Sequence, residues 1–189
     1  SEPESEPEHK YDLFINRYDL NHAVSLWLSD PNYTKSIYGH ISDWNVSPIT
    51  NMEELFKNGV NGDSSNFNDD ISSWNVSKVT NMRNMFESAT SFNSEISSWN
   101  VNQVTNMENM FYKATNFNNN LSSWDVGQVS NMNNMFNSAI SFNNSLIKWN
   151  VNMVTNMNHM FNNASSFDQN LSYWCVSKIS SEPDHFSSN

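Results

Sequence analysis

The chain has 189 residues, enough for one domain with a sizeable core. Its net charge is −11, from 9 basic and 20 acidic residues, and no basic stripe is present to neutralise phosphates, which argues against nucleic acid as a partner. The single cysteine, Cys175, leaves no internal disulfide, and the lack of an 18-residue apolar run argues against membrane insertion.

Residues 1–10, the first eight of them only Ser, Glu and Pro, read as a flexible acidic linker with nothing to bury. Residues 11–40 read as a helical N-terminal cap. Leu20, Ala23, Val24, Trp27 and Leu28 form a helical stripe behind Asp19 as a plausible cap; Asp30-Pro31 starts a second helix that Gly39 can stop. From residue 41 to 189 the chain repeats. Trp74, Trp99, Trp124, Trp149 and Trp174 lie 25 residues apart, and Trp44 precedes them by 30. Five full copies start at 41, 71, 96, 121 and 146, and a truncated sixth starts at Leu171. Such a period marks a solenoid, in which one coil cannot bury its apolar face alone.

Within the copy 71–95, Trp74 and Val76 flank polar Asn75, the alternation of a half-buried strand. Met82, Met85, Phe86 and Ala89 fall at helical spacing behind Thr80 as N-cap, and Thr50/Glu53 and Thr105/Glu108 complete capping boxes. The fold class expected is therefore an α/β solenoid: a leucine-rich-repeat-like stack of parallel strands with one short helix per coil. Nine of the ten methionines occupy apolar columns, Met153 being the exception, and read as core filler. Copy one carries five extra residues between Phe56 and Phe67, read as a tolerated surface loop in preference to a partner-binding one.

The string from Ile71 through Trp74, Val76, Val79, Thr80-Asn81-Met82 to Met85-Phe86, Ala89 and Phe92 resembles the bacterial surface protein repeat of about 26 residues, related to BspA-like leucine-rich repeats. The resemblance covers residues 41 to 189 and implies an adhesion or interaction role on surface lipoproteins or secreted proteins, with no enzyme activity. It also implies a buried Asn ladder, but Val79, Val104 and Val129 occupy that position. Thr80-Asn81 and its copies are the expected substitutes.

The outward positions of the expected strands are Ser72, Ser73 and Asn75; Ser97, Ser98 and Asn100; Ser122, Ser123 and Asp125; Ile147, Lys148 and Asn150; and Ser172, Tyr173 and Cys175. Of these, Ser72, Ser73, Asn75, Ser97, Ser98, Asn100, Ser122, Ser123, Asp125, Lys148, Asn150 and Tyr173 form the candidate partner-binding face, with Lys148 and Tyr173 its most distinctive members. No cofactor, metal or catalytic set is expected: His9, His22, His40, His159 and His185 are scattered, and Asp63, Asp69 and Asp70 lack a calcium-loop pattern. The expectation is a surface or secreted module binding a protein or glycan on another cell or matrix. A structural spacer and an ice- or crystal-binding surface are the rivals.

Overall fold

The computed structural model describes Phe14 and residues 16–187; the expected acidic linker and His9 lie outside these. Two helices lead the chain. Helix α1, Arg17–Ser29, is capped by Asn16, whose side chain accepts from the Asp19 N–H at 3.1 Å; Asp19 sits in the first turn and is not the cap. Helix α2, Pro31–Tyr38, starts at Asp30 and stops at Gly39, whose φ of 74° ends it. The inner face of α1 buries Leu20, Ala23, Val24 and Trp27.

The expected strand-and-helix coil is not what forms. Among the described residues there is no strand, no sheet and no helix beyond α1, α2 and a 3-10 turn at Ile41–Asp43. Each coil is instead a succession of tight turns. Trp74 N–H returns to Ile71 O, Val79 to Val76 O, Met85 to Met82 O, Ala89 to Phe86 O and Phe92 to Ala89 O, at 2.9–3.2 Å. A turn places inward residues three apart, so it writes the same short spacing into the sequence as a helix does. What stops the helix is backbone: Asn84 and Ser88 take φ of 57° and 61°, and Asn109, Lys113, Asn134, Ser138, His159 and Asn163 repeat this left-handed geometry. The strand reading fails because Trp74–Val76 is bracketed by two of these turns.

Neighbouring copies nevertheless lie in register. Asn51, Asn81, Asn106, Asn131 and Asn156 form successive single-residue parallel bridges. Beyond them, Met82, Asn84, Phe86 and Ser88 donate their N–H groups forward to Asn106, Glu108, Met110 and Tyr112, at 2.8–3.0 Å. The carbonyls of Asn81, Arg83, Met85 and Glu87 accept likewise from Met52, Glu54, Phe56 and Asn58 of the coil before. The left-handed residues make this possible, because alternating the hand of the backbone points donors to one side and acceptors to the other.

The core is two columns of phenylalanine. Phe56, Phe86, Phe111, Phe136 and Phe161 stack with centroids 5.6–5.7 Å apart. Phe67, Phe92, Phe117, Phe142 and Phe167 stack at 5.8–6.0 Å. Within a coil the two rings lie 3.8–4.1 Å apart. Trp74, Trp99, Trp124 and Trp149 are buried beside them, and each indole N–H reaches back to a carbonyl of the preceding coil: Ile41, Ile71, Ile96 and Leu121, at 2.8–3.1 Å. The nine core-column methionines are buried and Met153 is exposed.

The insertion in copy one belongs to the cap. Gly62 lies against Leu28 of α1, Asp69 accepts the Trp27 indole N–H at 2.8 Å, and buried Ser64 donates to Phe56 O at 2.6 Å.

Candidate interaction face

On the expected face, two of the three positions in each of the first coils bond within the stack. Ser73 donates to Ser42 O, Ser98 to Ser72 O at 3.2 Å, and Ser123 to Ser97 O at 2.7 Å. These three serines are exposed, while Ser72, Ser97 and Ser122 are half-buried. The side-chain oxygens of Asn75, Asn100, Asp125 and Asn150 accept from the backbone N–H two residues on, at 3.0–3.2 Å, and so hold their own turns. Asn120 does the same for Ser122.

Lys148 and Tyr173 occupy the column that holds Ser73, Ser98 and Ser123. Neither side chain can reproduce the short hydroxyl-to-carbonyl bond. Both are exposed, Tyr173 by 76%. In the turns that follow, exposed Met153 and Lys178 of adjacent coils meet each other, with Nζ 3.1 Å from Sδ. Cys175 is exposed and unpaired. This end of the face therefore presents an amine and a phenol on a strongly acidic chain.

Two features of the lateral surfaces escaped the sequence reading. One is an asparagine ladder in a column other than the expected one. Asn68, Asn93, Asn118 and Asn143 each accept, through Oδ1, the backbone N–H of the corresponding residue in the next coil, at 2.7–2.9 Å. Its signal was present: each of these residues directly follows a core phenylalanine. The Thr80-Asn81 columns divide their labour: Thr80 Oγ1 bonds Thr50 O at 3.1 Å, and Asn81 Oδ1 holds Arg83 N–H at 3.0 Å. Thr105 likewise donates to Thr80 O, and Asn106, not a capping box, holds Glu108.

The other is a charged seam across the first three coils. Arg83 pairs with Glu53 at 2.6 Å and Glu108 at 3.4 Å; Lys57 pairs with Glu54 at 3.3 Å and Glu87 at 3.2 Å. The buried Asn84 amide donates to Glu54 at 3.0 Å and holds its carboxyl below the usual range, with Lys57 assisting against burial. Burial opposes the charge on Lys57, but Glu87 and Glu54 outweigh it and raise its pKa; Glu53 raises that of Arg83. Glu54 thus contributes stability that is lost as pH falls through its lowered value, and Lys57 stability that is lost only in strong alkali. Both contributions are present at neutral pH. The signal in the sequence is alternating charge at one column: Glu53, Arg83, Glu108.

Among the described residues no group of three His, Cys, Asp or Glu side chains could hold a metal ion, and no helix is long and apolar enough to cross a membrane. Asp63 and Asp70 cap their own turns by accepting from Ser65 and Ser72, which lowers their pKa values. His159 and His185 stack at 5.3 Å, and His40 Nδ1 lies 2.8 Å from Ser42 Oγ.

No curated protein and no solved structure matches the chain. A family model does, twice, over residues 29–126 and 94–189, and its description is "Mycoplasma protein of unknown function, DUF285". The two matches overlap, each covers just over half of the sequence and together they span residues 29–189, so the chain belongs to this repeat family.

Proposed function

We propose that the chain is a non-enzymatic interaction module, displayed on a cell surface or secreted, that grips a protein or glycan at the Lys148–Tyr173 end of its exposed face. The observation that carries this reading is the break in the serine column. A position that elsewhere stitches coil to coil is given over to two long, exposed side chains. Exposed tyrosine is among the residue types that dominate recognition energetics, and the neighbouring lysine adds a charge that can steer an acidic partner. The likeness of the repeat motif to BspA-like surface repeats supports the surface setting.

The test is binding of the intact chain to glycan arrays and to extracellular-matrix proteins, compared with a Lys148→Ser/Tyr173→Ser variant. Serine restores the stitch of the neighbouring coils, so the variant keeps its fold. Loss of a partner in the variant is the expected result; unchanged binding, or no binding by the intact chain, overturns the reading.

A spacer role has one observation in its favour. The hydroxyls of Ser73, Ser98 and Ser123 and the amides of Asn75 and Asn100 are committed to the stack itself. The same commitment removes the motive for an ice-binding reading, which needs those groups for water.

A further inference from the structure

Nine of the ten methionines are 0–3% exposed; Met153 is 40% exposed. The other copies of the repeat hold Pro48, Lys78, Gln103, Gln128 and Lys178 at the position of Met153, so packing asks for nothing apolar there. The turn is closed by backbone alone. Val154 N–H donates to Val151 O at 3.0 Å, as Val129 does to Val126 O at 2.9 Å around Gln128. The Met153 thioether is therefore spare to the stack. What it meets is Lys178 of the next coil, with Nζ 3.1 Å from Sδ.

A thioether is a weak hydrogen-bond acceptor, and its oxide is polar. Sulfur carries two lone pairs. Nζ takes one and leaves the other for an electrophilic oxygen. The core methionines are reached only when a coil opens. Met157, 3% exposed and lining a cleft with Leu171 and Trp174, is the nearest rival.

We propose that Met153 is an oxidation site, converted to the sulfoxide by peroxide in the folded chain, and that Lys178 then holds the new oxygen and fastens the sixth coil to the fifth. Sulfur attacks one oxygen of hydrogen peroxide. The S–O bond forms as the O–O bond breaks, and the proton of the attacked hydroxyl passes to the departing oxygen, which leaves as water. The thioether loses two electrons and the peroxide gains them. A charge-assisted bond from the ammonium to the sulfoxide oxygen replaces the weak contact with sulfur. It acts on the coil with most to gain, since Trp174 and Ile179 are only partly buried and Val176 is 40% exposed.

The test is treatment of the intact chain with hydrogen peroxide at neutral pH, followed by peptide mapping by mass spectrometry over time, with the urea-unfolded chain as reference. In the folded chain Met153 is expected to gain oxygen at least about tenfold faster than Met157 or any other core methionine, and in urea the rates converge. Hydrogen exchange, read by NMR at the Ile179 amide that closes the turn carrying Lys178, is expected to slow about twofold after oxidation. Met153→Leu retains Cys175 and subtracts any effect of oxidising that exposed thiol. In Lys178→Ala, Met153 is oxidised as before and the slowing disappears. A Met153 rate no faster than that of Met157 in the folded chain overturns the proposal. Exchange that does not slow, or that slows equally in Met153→Leu or Lys178→Ala, overturns the fastening by Lys178.

Discussion

The two ends of the stack solve the same problem differently. At the first coil, the carbonyl edge that would otherwise face a preceding coil is closed by other parts of the chain. Arg17 donates to Glu53 O, Asn61 to Leu55 O at 2.8 Å, and Val60 N–H to Lys57 O at 3.1 Å, while α1 covers the apolar ring. At the sixth coil the N–H edge of the fifth is met by Asp184 O and Phe186 O, at 2.7 and 2.8 Å. There the apolar ring stays open among the described residues: Leu171, Trp174 and Ile179 are only partly buried and Val176 is 40% exposed, where their counterparts Leu146, Trp149, Val151 and Val154 are buried. A cleft of about 270 Å³ opens between Met157, Leu171, Trp174, Ile179 and Phe186. A residue's burial in this fold is therefore conferred by the coils on either side, more than by its own copy of the motif.

The sharpest way to break that conclusion is to cut the same side chain in both settings. Trp99→Ala removes a buried indole and takes from Ile71 O one of its two donors, leaving it the Trp74 N–H. It should cost about 3–5 kcal/mol, a large part of a marginal total. Trp174→Ala removes the same group, with the same backward bond to Leu146 O at 3.0 Å, from a ring covered on one side only. Its cost should be less than half as great. Urea unfolding of the two variants measures both, and equal costs would mean that each coil buries its own tryptophan independently of its neighbours.

The N-terminal closure can be loosened on its own. Gly62 has φ of 141° and approaches Leu28 more closely than a β-carbon permits without adjustment. Gly62→Val should cost about 1–3 kcal/mol through strain and overpacking. Hydrogen exchange should rise in α1 and the first coil and stay unchanged from the third coil on. Uniform acceleration along the chain would show the stack to be one cooperative unit, with the cap inseparable from it.

How much of this could be read in advance depended on which residues carried the signal. The repeat register, the buried tryptophan and methionine columns and the starts and stops of α2 were legible, because periodic apolar residues and Asp-Pro and Gly signals are local. The internal structure of the coil was not. Met82, Met85, Phe86 and Ala89 have a spacing shared by a helix and by linked tight turns, and the deciding fact, the left-handed backbone at Asn84 and Ser88, has no clear side-chain signature when serine, lysine and histidine fill those columns elsewhere. The candidate face was legible as a set of outward residues. What the sequence could not convey is that its serines and asparagines turn back to hold carbonyls and turns, since that depends on where the preceding coil lies.

The left-handed columns create the donor and acceptor edges that distinguish the two ends, so they offer the finest test. Lys113 has φ of 59°, is exposed, and donates its backbone N–H to Asn137 O at 2.9 Å. A left-handed conformation costs a residue with a β-carbon about 1–2 kcal/mol, against about 0.5–1 kcal/mol of extra chain entropy lost by glycine on folding. The first effect should win, but Lys113→Gly also removes the contact of Nζ with the Tyr112 ring at 4.9 Å. Lys113→Ala removes that contact equally while keeping the β-carbon, so the difference between the two variants isolates the backbone. Glycine should be the more stable of the pair by about 0.5–1 kcal/mol in urea unfolding. If alanine matches glycine, the reversed hand carries no strain at this position, and the edge it generates is held by lateral hydrogen bonds without opposing cost.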